Sequence, residues 1–267
     1  VVEDLPMGEA FDISQMATHF GSDVELKGST DFSDMTGSDL VILTAGFPRK
    51  PGMTRMDLLD KNARIVKESA EKIAKYAPNC KLLVVTNPLD VMAYVTYKAT
   101  GFPPERVFGM GGMLDISRFN HFLSQKLGVS RSSLQVQVVG QHGEDMVPLP
   151  RYSAISGIPL LDFLNEKEAR EAVEGTRKIA AEVIAKKGAT VFAPAQSVTR
   201  MVKSIIKDKK NVFPVSVYMQ GEYGIRDIYI GTPVILGKNG VEKVIELKLN
   251  DEERAAFLKG AESIKSA

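Results

Sequence analysis

Residues 39–46 read "DLVILTAG": an unbroken apolar run closed by a glycine, the pattern of a strand buried on both faces of a parallel sheet. Residues 82–86, "LLVVT", repeat the pattern and end at "NPLD". Between the two, Met56–Tyr76 carries Leu58, Leu59, Ile65, Val66, Ile73 and Ala74 along one side at helical spacing. A strand, a helix and a second strand in this order build a parallel sheet. Working outward, "PLDVMAYVTYKAT" (88–100) predicts a helix with proline in its first turn. A short strand, "RVFGM" (106–110), and a helix over Met113–Leu127 follow.

The texture changes after Gly128. "SLQVQVVGQ" (133–141) alternates apolar and polar residues, which predicts one half-exposed antiparallel strand. Helical patterns cover 167–187 and 192–207, and shorter strands are expected at 213–219, 226–230 and 233–236. "LNDEERAAFLKGAESIK" reads as an amphipathic helix opened by Asn250, a good N-cap. The chain thus divides near residue 112 into a parallel α/β unit, 1–112, and an α+β unit, 113–267. A dinucleotide-binding unit should open with a strand, a Gly-rich turn and a helix. This sequence opens instead with "VVEDLPMGEAFDISQ", and "GMGG" (109–112) has the wrong spacing and follows a late strand.

Composition narrows the class of function. With 34 basic and 33 acidic side chains the formal net charge is +1, so neither nucleic acid nor an anionic membrane surface is an expected partner. No apolar run is long enough to span a bilayer, and the first residues lack a signal-peptide pattern. The 267 residues suffice for one large domain or two modest ones. One cysteine, Cys80, excludes an intrachain disulfide framework and a cysteine metal cluster, and a reducing, cytoplasmic setting is expected.

Four stretches carry polar groups where ligands bind. "VGQHGEDMVP" (139–148) places His142 at a strand end between Gly140 and Gly143, with two carboxylates behind it. The histidine is either a proton-transfer group or a turn residue. "GFPRKPGMTRMDLL" (46–59) leaves a buried strand with Arg49, Lys50 and Arg55 in a Gly/Pro-punctuated loop. Such a loop lies where open α/β sheets bind ligands, and a guanidinium suits a carboxylate or phosphate; the alternative is a solvated basic loop. "TNPLD" (86–90) puts Asn87 at a second strand end, where Asn-Pro is also ordinary turn chemistry. In "GMLDISRFNHF" (112–122), Asp115 and Arg118 share a helix face. Either they form a plain surface ion pair, or Asp115 faces a distant histidine and leaves Arg118 for a ligand anion. No spacing of His, Cys and carboxylates supports a metal site. His19 and His121 lack any comparable context, and the 11 methionines read as core filler.

Taken in order, "TAGFPRKPGMTRMDLLDKN", "VVTNPLDVM", "GMGGMLDISRF", "GQHGEDMVPLPRYS" and "KGATVFAPAQSV" resemble the lactate/malate dehydrogenase superfamily, most closely the lactate-dehydrogenase-like malate dehydrogenases of bacteria and archaea. The resemblance implies a Rossmann-like parallel sheet followed by an α+β catalytic unit, and reversible NAD-dependent oxidation of (S)-malate to oxaloacetate. It casts His142 as the acid/base, Asp115 as the carboxylate that fixes its tautomer, and Arg118 as the clamp on the carboxylate beside the reacting carbon. Arg55 would polarise the carbonyl and Arg49 would meet the second substrate carboxylate. Lactate enzymes carry glutamine at the Arg49 position, since a guanidinium facing pyruvate's methyl would be left unpaired. Asn87 would bind the substrate oxygen, and Val85, Thr86 and Asn87 would line the nicotinamide. Asn62 would contact the coenzyme, and Thr190 would close the far wall. Closure of the loop over 46–57 would expel water from the site. A homodimer or homotetramer is implied.

Two departures stand against that pattern. The family's Gly-rich turn and the acidic residue that binds the adenosine ribose find no counterpart. The chain therefore reads as a member whose first β-α-β unit, roughly thirty residues, precedes Val1. Glu144 stands where the family usually has aspartate, and keeps the charge. Lactate dehydrogenase is the second enzyme reading, and a non-catalytic fragment without coenzyme binding is the third.

Overall fold

The structure is a computed structural model that describes residues 3–47 and 55–267, the side chains of residues 55–57, 180, 181 and 184 excepted. Helix α1 (Leu5–Thr18) precedes strand β1 (Leu40–Leu43), helix α2 (Arg55–Tyr76) and strand β2 (Lys81–Val84). Helix α3 (Leu89–Thr100), strand β3 (Val107–Gly109) and helix α4 (Gly112–Leu127) complete the first half. β1 pairs with β2 and β2 with β3, all parallel, as the apolar runs predicted. Leu82 and Val84 face one apolar core with Val66, Ile73, Met92 and Val107, while Leu83, between them, faces a second core with Phe108, Phe119, Val215 and Phe257. That alternation is why β2 reads as continuously apolar: both of its faces are covered. α3 and α4 each stop at a glycine in the left-handed region, Gly101 and Gly128, the usual way a helix satisfies its last carbonyls.

β1 departs from the expectation. Ile42 is 42% exposed, although Leu40, two residues earlier on the same face, packs against the second core. β1 is the edge of the sheet among the described residues.

The second half contributes strands β4 (Leu134–Gln135), β5 (Val138–Gly140), β6 (Met146–Pro148), β7 (Ala154–Ile155) and β8 (Ile158–Pro159), then helices α5 (Glu166–Lys187) and α6 (Phe192–Ile206). Strands β9 (Asn211–Gln220), β10 (Arg226–Gly237) and β11 (Gly240–Val244) lead to helix α7 (Asp251–Lys265). The main sheet runs β1-β2-β3-β9-β10-β5-β6 with β11 on β10, while β4, β7 and β8 form a small separate sheet. The single strand expected over 133–141 is therefore two strands in two sheets. The break falls at Val136 and Gln137, just before the alternation gives way to the consecutive buried residues Val138 and Val139. The two strands expected at 226–230 and 233–236 are one, β10, and β11 was not anticipated. Gly231, in the gap between those two expected strands, is a close approach: β10 passes so near β5 that a Cβ there would lie 2.7 Å from the Gly140 carbonyl oxygen. The sheet also continues without a gap from the parallel to the antiparallel half, through the pairing of Gly109 with Ser216. α7 opens with a capping box in which Asn250 accepts from the Glu253 N–H and Glu253 accepts from the Asn250 N–H.

Candidate active site

The sheet brings the end of β5 beside the start of α4. Gly140 (φ 91°) and Gly143 (φ 141°) both adopt backbone that side-chain-bearing residues resist, and between them the chain turns sharply enough to aim His142 inward. The His142 imidazole is 8% exposed, and its Nδ1 lies 2.8 Å from Asp115 Oδ2. Asp115 is 1% exposed and sits in the first turn of α4, where the unpaired N–H groups of the helix favour negative charge. Its other oxygen, Oδ1, accepts from the Arg118 guanidinium at 3.0 Å. Neither reading of Asp115 and Arg118 holds in full: the ion pair forms but is buried, and the same carboxylate also meets the distant histidine. One carboxylate oxygen serves the intrahelix ion pair and the other serves the distant histidine.

The chemistry of this chain of contacts is directional. An ionised carboxylate only accepts, so in the neutral imidazole Nδ1 carries the hydrogen and Nε2 carries the lone pair. In that tautomer, which the Asp115 contact favours, Nε2 of His142 offers its lone pair. Burial is the largest influence on the imidazole and works against its charging. The Asp115 charge and hydrogen bond, with the charge of Asp90, outweigh burial and the opposing Arg118, so the net shift is upward from the usual histidine value.

Asp90 is a residue that sequence reading missed, although "TNPLD" ended on it. It is 3% exposed in the first turn of α3. Its Oδ2 accepts the His142 main-chain N–H at 2.8 Å and its Oδ1 accepts the Ser216 hydroxyl at 2.6 Å. Burial pushes its carboxyl up to about 6; the two hydrogen bonds and the His142 charge hold it lower than burial alone would, and the Asp115 charge opposes them. The loop is tied on its other side to α7: the Gln141 amide donates to Ser263 Oγ at 3.3 Å and Lys259 pairs with Asp145 at 2.9 Å. A small cleft lined by Leu59, Pro88, Asp90, Gln141, His142 and Ser263 opens over this loop.

The remaining expected residues fall into three groups. At the carboxyl ends of β1 and β2, Thr86 is buried and its hydroxyl donates to the Ala45 carbonyl at 2.8 Å, so it locks the two strand ends together. Asn62, 1% exposed, is a three-way staple: Oδ1 accepts the Phe47 N–H at 2.7 Å, and Nδ2 donates to the Asn87 carbonyl at 2.7 Å and to the Phe47 carbonyl at 3.3 Å. Val85 is half-buried and the Asn87 side chain is exposed. The Asn87–Pro88 peptide is cis. Thr190 lies between α5 and α6, and no hydrogen bond among the described residues joins it to His142, Asp115 or Arg118. Arg49 lies outside the described residues, and Arg55 opens α2 with its side chain likewise outside them.

A nicotinamide fits the donor set at these strand ends. A Cβ on Gly46 would lie 2.7 Å from Thr86 Cγ2, so the strand ends are packed flat against each other, and the half-buried Val85 and exposed carboxamide of Asn87 follow directly. An apolar surface beside a carboxamide matches the ring face and the amide edge of nicotinamide. Among the described residues no cluster of three or more His, Cys, Asp or Glu could hold a metal ion. Nor is any described helix long and apolar enough to cross a membrane.

Residues 1–109 match the NAD binding domain of lactate/malate dehydrogenase, and residues 112–267 match the α/β C-terminal domain. Fold and site together define an NAD-dependent oxidoreductase. Over 267 residues the chain is 46% identical to the malate dehydrogenase of Methanosarcina mazei, covering 99% of this chain and 87% of the relative. Over 266 residues it is 46% identical to that of Caldivirga maquilingensis, covering 99% and 86%. The apo structure of Picrophilus torridus malate dehydrogenase superposes with a TM-score of 0.95 at 45% identity, covering 100% of this chain and 86% of the other. The chain belongs to the lactate/malate dehydrogenase family.

Proposed function

We propose that the chain interconverts (S)-malate and oxaloacetate, and that the contact of His142 with Asp115 across the fold is the observation that carries this reading. Malate oxidation requires a base for the hydroxyl proton, and Nε2 of a buried histidine held by a carboxylate is such a base. A bound NAD, bordered by Val85, Thr86 and Asn87, would supply the hydride acceptor for C2 of malate. His142 takes the hydroxyl proton at Nε2 as the C–O bond gains double-bond character, and Asp115 stabilises the imidazolium that results. In the reverse direction the same Nε2–H returns the proton to the carbonyl oxygen.

Arg118 holds the carboxylate next to the reacting carbon. Among the described residues its guanidinium makes one hydrogen bond, to Asp115, and its remaining N–H groups are available to a substrate anion. Arg55 supports negative charge on the reacting oxygen, and Arg49 meets the distal carboxylate, which selects malate over lactate. Asn87 orients the substrate oxygen and borders the nicotinamide with Val85 and Thr86. Asn62 acts toward the coenzyme by holding Phe47 and Asn87 in place. Thr190 closes the far wall. Residues 1–112 serve as the coenzyme unit and 113–267 as the catalytic unit. The assembly is a homodimer or homotetramer, and the setting is cytoplasmic, where a buried free Cys80 stays reduced.

The test is NADH oxidation with oxaloacetate and pyruvate side by side. Turnover of oxaloacetate, with pyruvate slower by orders of magnitude, is the expected result. Comparable rates would reassign the substrate to the lactate class, and no turnover of either by a chain that binds NADH would overturn the reading.

A further inference from the structure

The proton relay proposed above ends at Asp115, yet a second buried carboxylate touches the same histidine from another element. Asp90, on α3, accepts the His142 main-chain N–H with one oxygen and the hydroxyl of Ser216, on β9, with the other. Ser216 is fully buried, and β9 pairs there with Gly109 of the parallel half. Three segments far apart in sequence therefore meet on one carboxyl group. A neutral acceptor would satisfy a main-chain N–H at lower cost, since ionising a carboxyl in this interior is unfavourable. A carboxyl at this position implies that its charge is used.

We propose that Asp90 is a positioning residue of the proton relay: it fixes the main chain of His142, is itself fixed by Ser216, and presents a second negative charge to the imidazole. The fixation matters because Gly140 and Gly143 leave the segment little conformational restraint of its own. The charge matters because the imidazolium must be stabilised where the ring is largely buried. Around the imidazole and Asp90, α4 supplies Asp115 and Arg118 and β9 supplies Ser216. α7 and α2 face the cleft, among their described side chains, with Ser263 and Leu59, which carry no charge. The upward shift at Asp90 means the charge is present above about pH 6, the range in which His142 works as a base.

This proposal rests on His142 as the acid/base, so its first test is read without substrate. The chain has three histidines, whose ring protons can be followed separately by NMR during a pH titration. Asp90→Asn keeps both contacts, because the amide oxygen accepts from His142 N–H and the amide nitrogen donates to Ser216 Oγ, while the charge is lost. The His142 midpoint should fall in Asp90→Asn, with those of His19 and His121 unmoved. The acid limb of malate oxidation should move in the same direction, with KM for malate changed less than twofold. Asp90→Ala, which removes the anchor as well, should lower kcat further than Asp90→Asn does.

A His142 midpoint unchanged in Asp90→Asn would overturn the proposal and leave Asp90 a structural hydrogen-bond acceptor. If Asp90→Asn does not fold, Ser216→Ala decides. Losing one donor makes Asp90 hold its proton to higher pH, so the His142 midpoint must again fall, and an unmoved midpoint refutes the proposal. Inactivity toward malate would leave the titration result standing, which separates this inference from the substrate assignment.

Discussion

Burying Asp90 has a thermodynamic signature that can be worked out in advance. Its carboxyl titrates near 3.8 when the chain is unfolded and at about 6 in the folded protein. Between those values the folded state binds the proton and the unfolded state does not, so stability falls as pH rises, the reverse of a salt-bridged carboxylate. A displacement of about two pH units corresponds to about 3 kcal/mol. Asp90→Asn has no such proton to lose and keeps its two neighbours. Relative to the native sequence, then, the variant should gain about 3 kcal/mol of stability between pH 4 and pH 6.5. Urea unfolding of both proteins at fixed protein concentration, at half-unit steps through that range, measures the difference. Other titrating groups cancel in the comparison, except His142, whose raised value contributes stability that is complete below about pH 6.5 and lost above it. A stability difference flat to within about 0.5 kcal/mol across the window would refute the assignment of a buried, ionising carboxyl to Asp90.

Four further outcomes are expected. His142→Asn should abolish turnover while leaving NADH affinity within about threefold in a fluorescence titration, because the histidine moves the proton and does not hold the coenzyme. With His142 shifted above the usual histidine value, malate oxidation should rise about tenfold per pH unit up to a midpoint above about 6.5, whereas oxaloacetate reduction should stay level below that midpoint and fall about tenfold per pH unit above it. Initial rates of both directions across about pH 5.5–9 test this, and limbs that move together would contradict a shared acid/base. Asn62→Ala removes the partner of part-buried main-chain groups of Phe47 and Asn87 and should cost about 1–3 kcal/mol in urea unfolding. Arg49→Gln should shift the ratio of kcat/KM for oxaloacetate over pyruvate toward pyruvate by at least about 100-fold, and an unchanged ratio would remove Arg49 from substrate selection.

Much of the architecture was legible because it is local. Apolar runs at 39–45 and 82–86, helical spacing in α2, the proline before α3, and Asn250 with Glu253 at α7 each depend on residues within a few positions of one another. Where the chain misled, a non-local contact was responsible. Gly231, in the gap between two expected strands, is the place where β10 grazes Gly140, and the alternation of 133–141 hid a change of sheet.

The site divides along the same line. His142 announces itself in the sequence, since glycines on both sides at a strand end are a local instruction to turn and expose a side chain. That Asp115, 27 residues earlier, and Asp90, 52 residues earlier, both close on it is decided by tertiary structure alone. Ser216 reaches Asp90 across 126 residues. No periodicity encodes such pairs, because they follow from the order in which β3, β9, β10 and β5 lie side by side in the sheet. Sequence by itself determined which groups were available for proton transfer and which elements carried them. Strand order then determined which carboxylates shared the histidine's buried surroundings, and the electrostatics of those surroundings shift its proton affinity upward.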